Sequence, residues 1–269
     1  MDPASFVGIG LALFALFVSM IMDGGNPAAL LAPSSLLLTF GGTIGAATAG
    51  MLLSDAKSLP KILKIALTAK VTPPDASVGI VVAFAEKARR QGLLALEEEA
   101  RQIDDTFLRK GIEMAVDGAD PEEIRDILDQ DIEAMKSRHR AGAKFFADMG
   151  GFAPTMGIIG TVMGLLHVLQ NLSTPATLGP MIAAAFTATL WGVMQANVFW
   201  LPISNRLKRT SEIEVRRMDL LLEGIIAIQA GANPRVVEQR LLSYLSPQEQ
   251  EAARNAKDAQ AAAAKAKAA

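Results

Sequence analysis

Three stretches of this chain carry no charged side chain. Pro3–Met22 reads PASFVGIGLALFALFVSMIM, Pro33–Leu53 reads PSSLLLTFGGTIGAATAGMLL, and Met149–Asn205 runs for 57 residues without Asp, Glu, Lys or Arg. Crossing a membrane takes about 20 apolar residues in a helix. The first two stretches therefore predict one span each. The third is interrupted by NLSTPATLGP (Asn171–Pro180), polar and helix-breaking, and predicts two, Gly151–Leu172 and Leu178–Leu201. A signal peptide is the other reading of Pro3–Met22. It lacks a basic leading segment, and Asp2 is acidic, so a span is expected instead. Between the second and third stretches the pattern turns amphipathic. Pro60–Ala69 predicts a short helix lying at the membrane surface. After Pro73-Pro74, one long helix is expected from Asp75 through Val116. Gly118 and Pro121 punctuate it, with Asp120 as N-cap of the next helix and Glu122 and Glu123 in its first turn. That helix is expected to continue into the third span. After the fourth span, a helix from Ser204 should end at Gly231 and Asn233-Pro234, followed by a shorter one over Val236–Leu245. Ser246–Ala269 is rich in Ala, Lys and Gln and is expected to be disordered or loosely helical.

Charge adds orientation. The chain has 269 residues, 51% hydrophobic and 20% charged, with net charge −2 and no cysteine. Of the 26 Lys and Arg, 15 fall between Lys57 and Lys144 and 11 between Arg206 and Lys267. The links Asp23–Ala32 and Ser173–Thr177 have none. Positively charged segments stay in the cytoplasm, so both large blocks and both termini are expected inside and both links outside. The expectation is an all-α integral membrane protein with four transmembrane helices. A helical cytoplasmic domain lies between spans 2 and 3 and continues after span 4. The divisions are 1–54 (spans 1 and 2), 55–148 (cytoplasmic domain), 149–204 (spans 3 and 4), 205–245 (cytoplasmic C-terminal helices) and 246–269 (low-complexity tail). The absence of cysteine excludes disulfide scaffolds and thiol chemistry. The charge balance argues against nucleic-acid binding. There is no P-loop, GxGxxG, HExxH or GxSxG, and the two histidines are far apart. Neither a metal site, a cofactor site nor an enzyme site is expected.

Within the uncharged stretches, small residues recur every four positions: Gly42, Ala46 and Gly50; Gly160 and Gly164, with Gly157 nearby; and Ala184, Ala188, Gly192 and Ala196. Such rows let helices approach closely in lipid, either inside one bundle or against further copies. No span holds a carboxylate, Lys or Arg. Ion transport usually needs an ionisable group within the membrane, and His167 is the one candidate, read as packed or interfacial. A partner should therefore supply the carboxylate. Thr161 and Thr189 are either bonded back to their own helices or pore-lining, with Thr187 less favoured. Pro154 and Pro202 fall at matched depth on the cytoplasmic side, where they either form a hinge or gate or merely mark helix ends. KARR (Lys87–Arg90) precedes LEEE (Leu96–Glu99). Those clusters are either a solvated face or a docking patch for a partner of complementary charge.

Five segments resemble the MotA/PomA family of bacterial flagellar stator subunits, within the MotA/TolQ/ExbB superfamily. They are ARRQGLLALEEE (Ala88–Glu99), GGFAPTMGIIGTVMGLL (Gly150–Leu166), AAAFTATLWG (Ala183–Gly192), NVFWLPISNRL (Asn197–Leu207) and EGIIAIQAGANPRVVEQRL (Glu223–Leu241). The resemblance covers residues 1–245. It implies a homopentamer around two copies of a single-span MotB/PomB-type partner, in the bacterial inner membrane. The partner's aspartate carries the ion, and ion flow turns the rotor through its protein FliG, driving motility under the control of chemotaxis. By the same resemblance, Thr161 and Thr189 match threonines of the ion path, and Pro154 and Pro202 match two functional prolines. Arg89 and Glu97 match the principal rotor-contacting charges, with Arg90 and Glu98 as helpers. Ala188 stands where sodium-type members usually carry a threonine, which favours H+ over Na+. The rival reading is an ExbB/TolQ-like or other non-flagellar ion-driven motor subunit. ExbB/TolQ-like subunits typically have three spans and a different order of cytoplasmic segments.

Overall fold

The computed structural model describes residues 4–68 and 71–268. Asp2, the Pro3 start of the expected first span, the Ala69 end of the expected surface helix and the terminal Ala269 lie outside the described residues. The helices follow as α1 (Ala4–Met22), α2 (Pro33–Leu36), α3 (Gly42–Ala49), α4 (Leu53–Ala56), α5 (Leu59–Thr68), α6 (Asp75–Gln91), α7 (Glu97–Ala100), α8 (Thr106–Val116), α9 (Pro121–Gln170), α10 (Pro175–Gln195), α11 (Leu201–Gln229), α12 (Pro234–Leu242) and α13 (Pro247–Ala268). A π-helical segment, Leu37–Gly41, joins α2 to α3, and a second, Ala196–Trp200, joins α10 to α11. No strand occurs among the described residues. Two helical runs, Pro121–Gln170 and Pro175–Gln229, are long and apolar enough to cross a membrane, and Phe6–Met22 is a shorter apolar helix.

Helix boundaries follow local chemistry. Gly118 takes φ +80° before α9, and Gly231 takes φ +64° after α11, a backbone region that favours glycine. Asn233 caps α12 by accepting the Arg235 N–H at 3.0 Å. Consequently α12 begins at Pro234, two residues before the expected start. Pro175, pre-set for a first helical turn, starts α10 three residues before the expected fourth span. The stretch expected as the second span is helical from Pro33 to Ala49, with its α-geometry broken by the π segment. The long helix expected from Asp75 to Val116 does not form. Gly92 (φ +87°) ends α6, a 3-10 turn covers Leu93–Leu96, and α7 is short. Asp105 then starts α8 by accepting the N–H groups of Phe107 and Leu108 at 3.0 and 2.9 Å. The tail is helical, since Ser246 and Glu249 form a reciprocal capping box: Ser246 N–H donates to Glu249 Oε2 at 2.8 Å and Glu249 N–H to Ser246 Oγ at 3.4 Å.

The chain separates into two compact units. The first comprises the described residues of 1–70 and 139–209. Its small core gathers Ala47, Ala66, Phe145, Phe146, Met149 and Ile203, and Ser204 Oγ donates to the Ala143 carbonyl at 2.7 Å. The second comprises the described residues of 71–138 and 210–269. Its core is larger, with Val81, Leu96, Ile112, Ile124, Leu128, Leu220, Ile225, Ile228 and Leu241 all nearly inaccessible. Glu223 receives Arg125 at 2.7 Å and Arg240 at 3.7 Å.

Candidate functional site: a threonine pair and a charged turn

In the first unit, one face of α9 meets one face of α10 with almost no side-chain volume between them. A Cβ added at Gly157 would stand 2.9 Å from the Ala188 carbonyl oxygen and 3.2 Å from the Cα of Gly192. One added at Gly192 would stand 2.6 Å from the Ala153 carbonyl oxygen. At Gly160 and Gly164 the obstacles are the methyl groups of Ala188 and Ala185, at 2.6 and 2.5 Å. Two of the three small-residue rows thus pack on each other within the chain, which is the bundle reading. The remaining row contributes Gly42, which faces Met156 Sδ at 3.0 Å, while Gly50 is exposed.

This close approach brings Thr161 opposite Thr189. Their hydroxyls hydrogen-bond to each other. Thr161 Oγ1 also lies 3.1 Å from the carbonyl oxygens of both Gly157 and Ala185, and Thr189 Oγ1 lies 3.3 Å from that of Gly157. Two hydroxyls hold two protons for four contacts. With both protons turned to carbonyls, oxygen lone pairs remain available, and such a cluster can accept from a hydrated proton or face a small cation. Thr161 bonds back to its own helix, one of the two readings weighed for it, and it also reaches across to α10. Thr187 donates to Ala183 of its own helix, at 2.9 Å.

Pro154 sits inside α9, half-buried and next to Ala153 of the seam. Pro202 is exposed and is the second residue of α11. Proline removes an N–H and crowds the carbonyl four residues back. The chain accommodates it with the π segment, in which Leu201 N–H reaches back five residues to Ala196. The two prolines thus differ: Pro154 interrupts a regular α-helix, and Pro202 follows a widened one. The two π segments also meet. Phe40, from the first, lies 6.3 Å from Trp200 of the second in an edge-on arrangement, and 5.8 Å from Trp191.

Gln195, fully buried just before the second π segment, was not singled out in the sequence. Its Oε1 accepts from Trp200 Nε1 at 3.0 Å, and its Nε2 has no hydrogen-bond partner among the described residues. A polar amide inside an uncharged run was the available signal. His167 is exposed and lines a pocket of about 430 Å³ with Ser34, Ser35, Gly164 and Ala185. It does not adjoin the threonine pair by any described hydrogen bond.

The charged residues form a turn in the second unit. Arg89 and Arg90 close α6 and Glu97 and Glu98 open α7, so each cluster occupies the helix end that its sign favours. Lys87 pairs with Glu99 at 2.8 Å, and Arg101 with Glu97 at 2.7 Å. Arg89, Arg90 and Glu98 are exposed and make no ion pair among the described residues. The four expected contact residues are thus gathered on one turn, and three of the four retain unneutralised charge.

The molecule defined by these features is an all-helical protein with long apolar helices, one seam of which presents hydroxyl oxygens, and with a charged turn in its second unit. A model of the MotA/TolQ/ExbB proton channel family matches residues 99–220. Motility protein A of Bacillus subtilis (strain 168) is 40% identical over 246 residues, 91% of this chain and 91% of its own length. Chemotaxis protein PomA of Vibrio alginolyticus is 34% identical over 91% of this chain and 96% of its own. Among solved structures, the flagellar MotAB stator complex from Bacillus subtilis matches with TM-score 0.86 at 39% identity, covering 92% of this chain and 98% of that one. C. jejuni MotAB matches with TM-score 0.88 at 32% identity, over 92% and 97%. The chain belongs to the MotA/TolQ/ExbB proton channel family, in the group of the motility protein A and PomA stator subunits.

Proposed function

We propose that this chain is the stator subunit that walls the ion path of a flagellar motor, with a MotB/PomB-type single-span partner supplying the ion-carrying aspartate. It is a motor subunit and not an enzyme. The carrying observation is near-full-length similarity to motility protein A in a chain whose apolar stretches hold no carboxylate. The rival of an ExbB/TolQ-like subunit shares the family core matched over residues 99–220. It does not account for similarity that extends across 91% of the chain to a motility protein.

In this reading the chain crosses the bacterial inner membrane four times with both termini in the cytoplasm, and five copies surround two of the partner. Thr161 and Thr189 present oxygen to the ion beside the partner's aspartate. Pro154 and Pro202 are the points where α9 and the α10–α11 run bend as the ring steps. Arg89 and Glu97, helped by Arg90 and Glu98, engage the rotor protein FliG. One elementary charge falling through 100 mV releases about 2.3 kcal/mol. That energy becomes work only when neutralising the partner aspartate changes the relative stability of two arrangements of the ring. The ion is H+, since Ala188 occupies the position of the second threonine of sodium-type relatives.

The test is ion flux in membrane vesicles. The chain alone should assemble without conducting, and co-expression of its partner should open a path that closes when the partner's aspartate becomes asparagine. Robust flux from the chain alone would overturn the assignment of the carrier to the partner.

A further inference from the structure

The turn that carries the charged residues also carries an apolar one in an unusual place. Gly92, at φ +87° and ψ +165°, reverses the chain after α6, and Leu93–Leu96 follows as a 3-10 turn. With three residues per turn, positions i and i+3 share a face. Leu93 and Leu96 therefore point together into the second unit. Leu93 packs against its core, and Leu96 is fully buried. Leu94 is thereby turned the opposite way and stands 74% exposed. Its flanks in sequence are Arg89 and Arg90 on one side and Glu97 and Glu98 on the other, all exposed. An exposed leucine standing singly needs no explanation. This one differs because a positive-φ glycine and two anchoring leucines hold its backbone fixed, so little freedom is lost when it is covered.

We infer that Leu94 is the apolar anchor of the rotor contact, inserting into a concavity on the rotor protein that carries charge of both signs around its rim. This rests on the rotor-docking reading of the same turn and deepens it. The division of labour is physical. Exposed charges steer encounter and fix orientation but give little lasting affinity. A buried aliphatic side chain ringed by polar contacts gives the residence time. The unneutralised Arg89, Arg90 and Glu98 are the steering set, and Leu94 is the residue that the set delivers. A contact that must grip and then release at each step suits one anchor of modest area.

The experiment uses the full-length chain, co-purified with its MotB/PomB-type partner in lipid nanodiscs, and the purified FliG of the same organism. Leu94→Ala should weaken binding about tenfold, with most of the change in the dissociation rate. The salt dependence of binding should be unchanged, and Leu94→Met should bind as the parent does. Arg89→Glu should instead slow association and flatten the salt dependence. Leu94→Ala binding like the parent while Arg89→Glu is impaired overturns the anchor and leaves the docking reading standing. Parent-like binding by both variants overturns the anchor and the docking reading together.

Discussion

The threonine pair shows how a small side chain acquires a role from its surroundings. Thr161 and Thr187 both bond back to their own helices, but of the two only Thr161 also hydrogen-bonds to a neighbouring helix among the described residues, where Gly157, Gly160 and Gly192 let the backbones close in. Thr189→Val keeps the shape and removes the hydroxyl, leaving Thr161 with one partner fewer. We expect a stability loss of about 1 kcal/mol and slower motor rotation at high load. Speed–torque curves on tethered cells with normal membrane levels of the variant check this, and an unchanged curve returns Thr189 to a packing role. Both threonines were visible in the sequence as hydroxyls in an uncharged run. Their mutual bond was not, since it depends on which faces of two helices meet.

At the scale of the element, α13 owes its start to Glu249. Its carboxylate accepts Ser246 N–H and pairs with Arg216 at 2.9 Å. The Ser246 backbone hydrogen bond first of all, opposed by burial and aided by the Ser246 hydroxyl and the Arg216 charge, holds that carboxyl below the ordinary range. A depressed folded value means that the stabilisation is present above the unfolded value and is lost as pH falls through the lower folded one. Glu249→Gln keeps an acceptor for Ser246 N–H but removes the charge that pairs with Arg216, so it should loosen α13 by no more than about 1 kcal/mol at neutral pH and abolish the acid-dependent part. Limited proteolysis between Leu245 and Gln250, followed from pH 7 to pH 3, measures both. Composition left the tail either disordered or loosely helical, and the hydrogen bonds of Ser246 and Glu249 start it as a helix. The reverse happened over Asp75–Val116. Apolar periodicity persisted there across Gly92, whose left-handed backbone breaks the helix. The boundaries at Gly118, Gly231 and Asn233-Pro234 were readable because glycine and proline act locally. The π segments were not, because a helix widened by one residue keeps the composition of a regular one.

At the scale of the whole molecule, the expected driving ion is H+. Swimming should persist when sodium is replaced by potassium and should stop on adding a protonophore. Speed that follows the sodium gradient would reverse the assignment and make Ala188 a poor guide to ion choice. The contact of Gly157 with Gly192 also closes the space between two helices. The backbones of α9 and α10 touch there with less room than a methyl group requires, so neither water nor a lipid chain fits between them. That seam is a gasket. In the proposed reading, the ion travels along its outer surface, past the hydroxyls of Thr161 and Thr189, and the single-span partner completes the conduit. Steric clearance thus supports the proposed assembly alongside the missing charge.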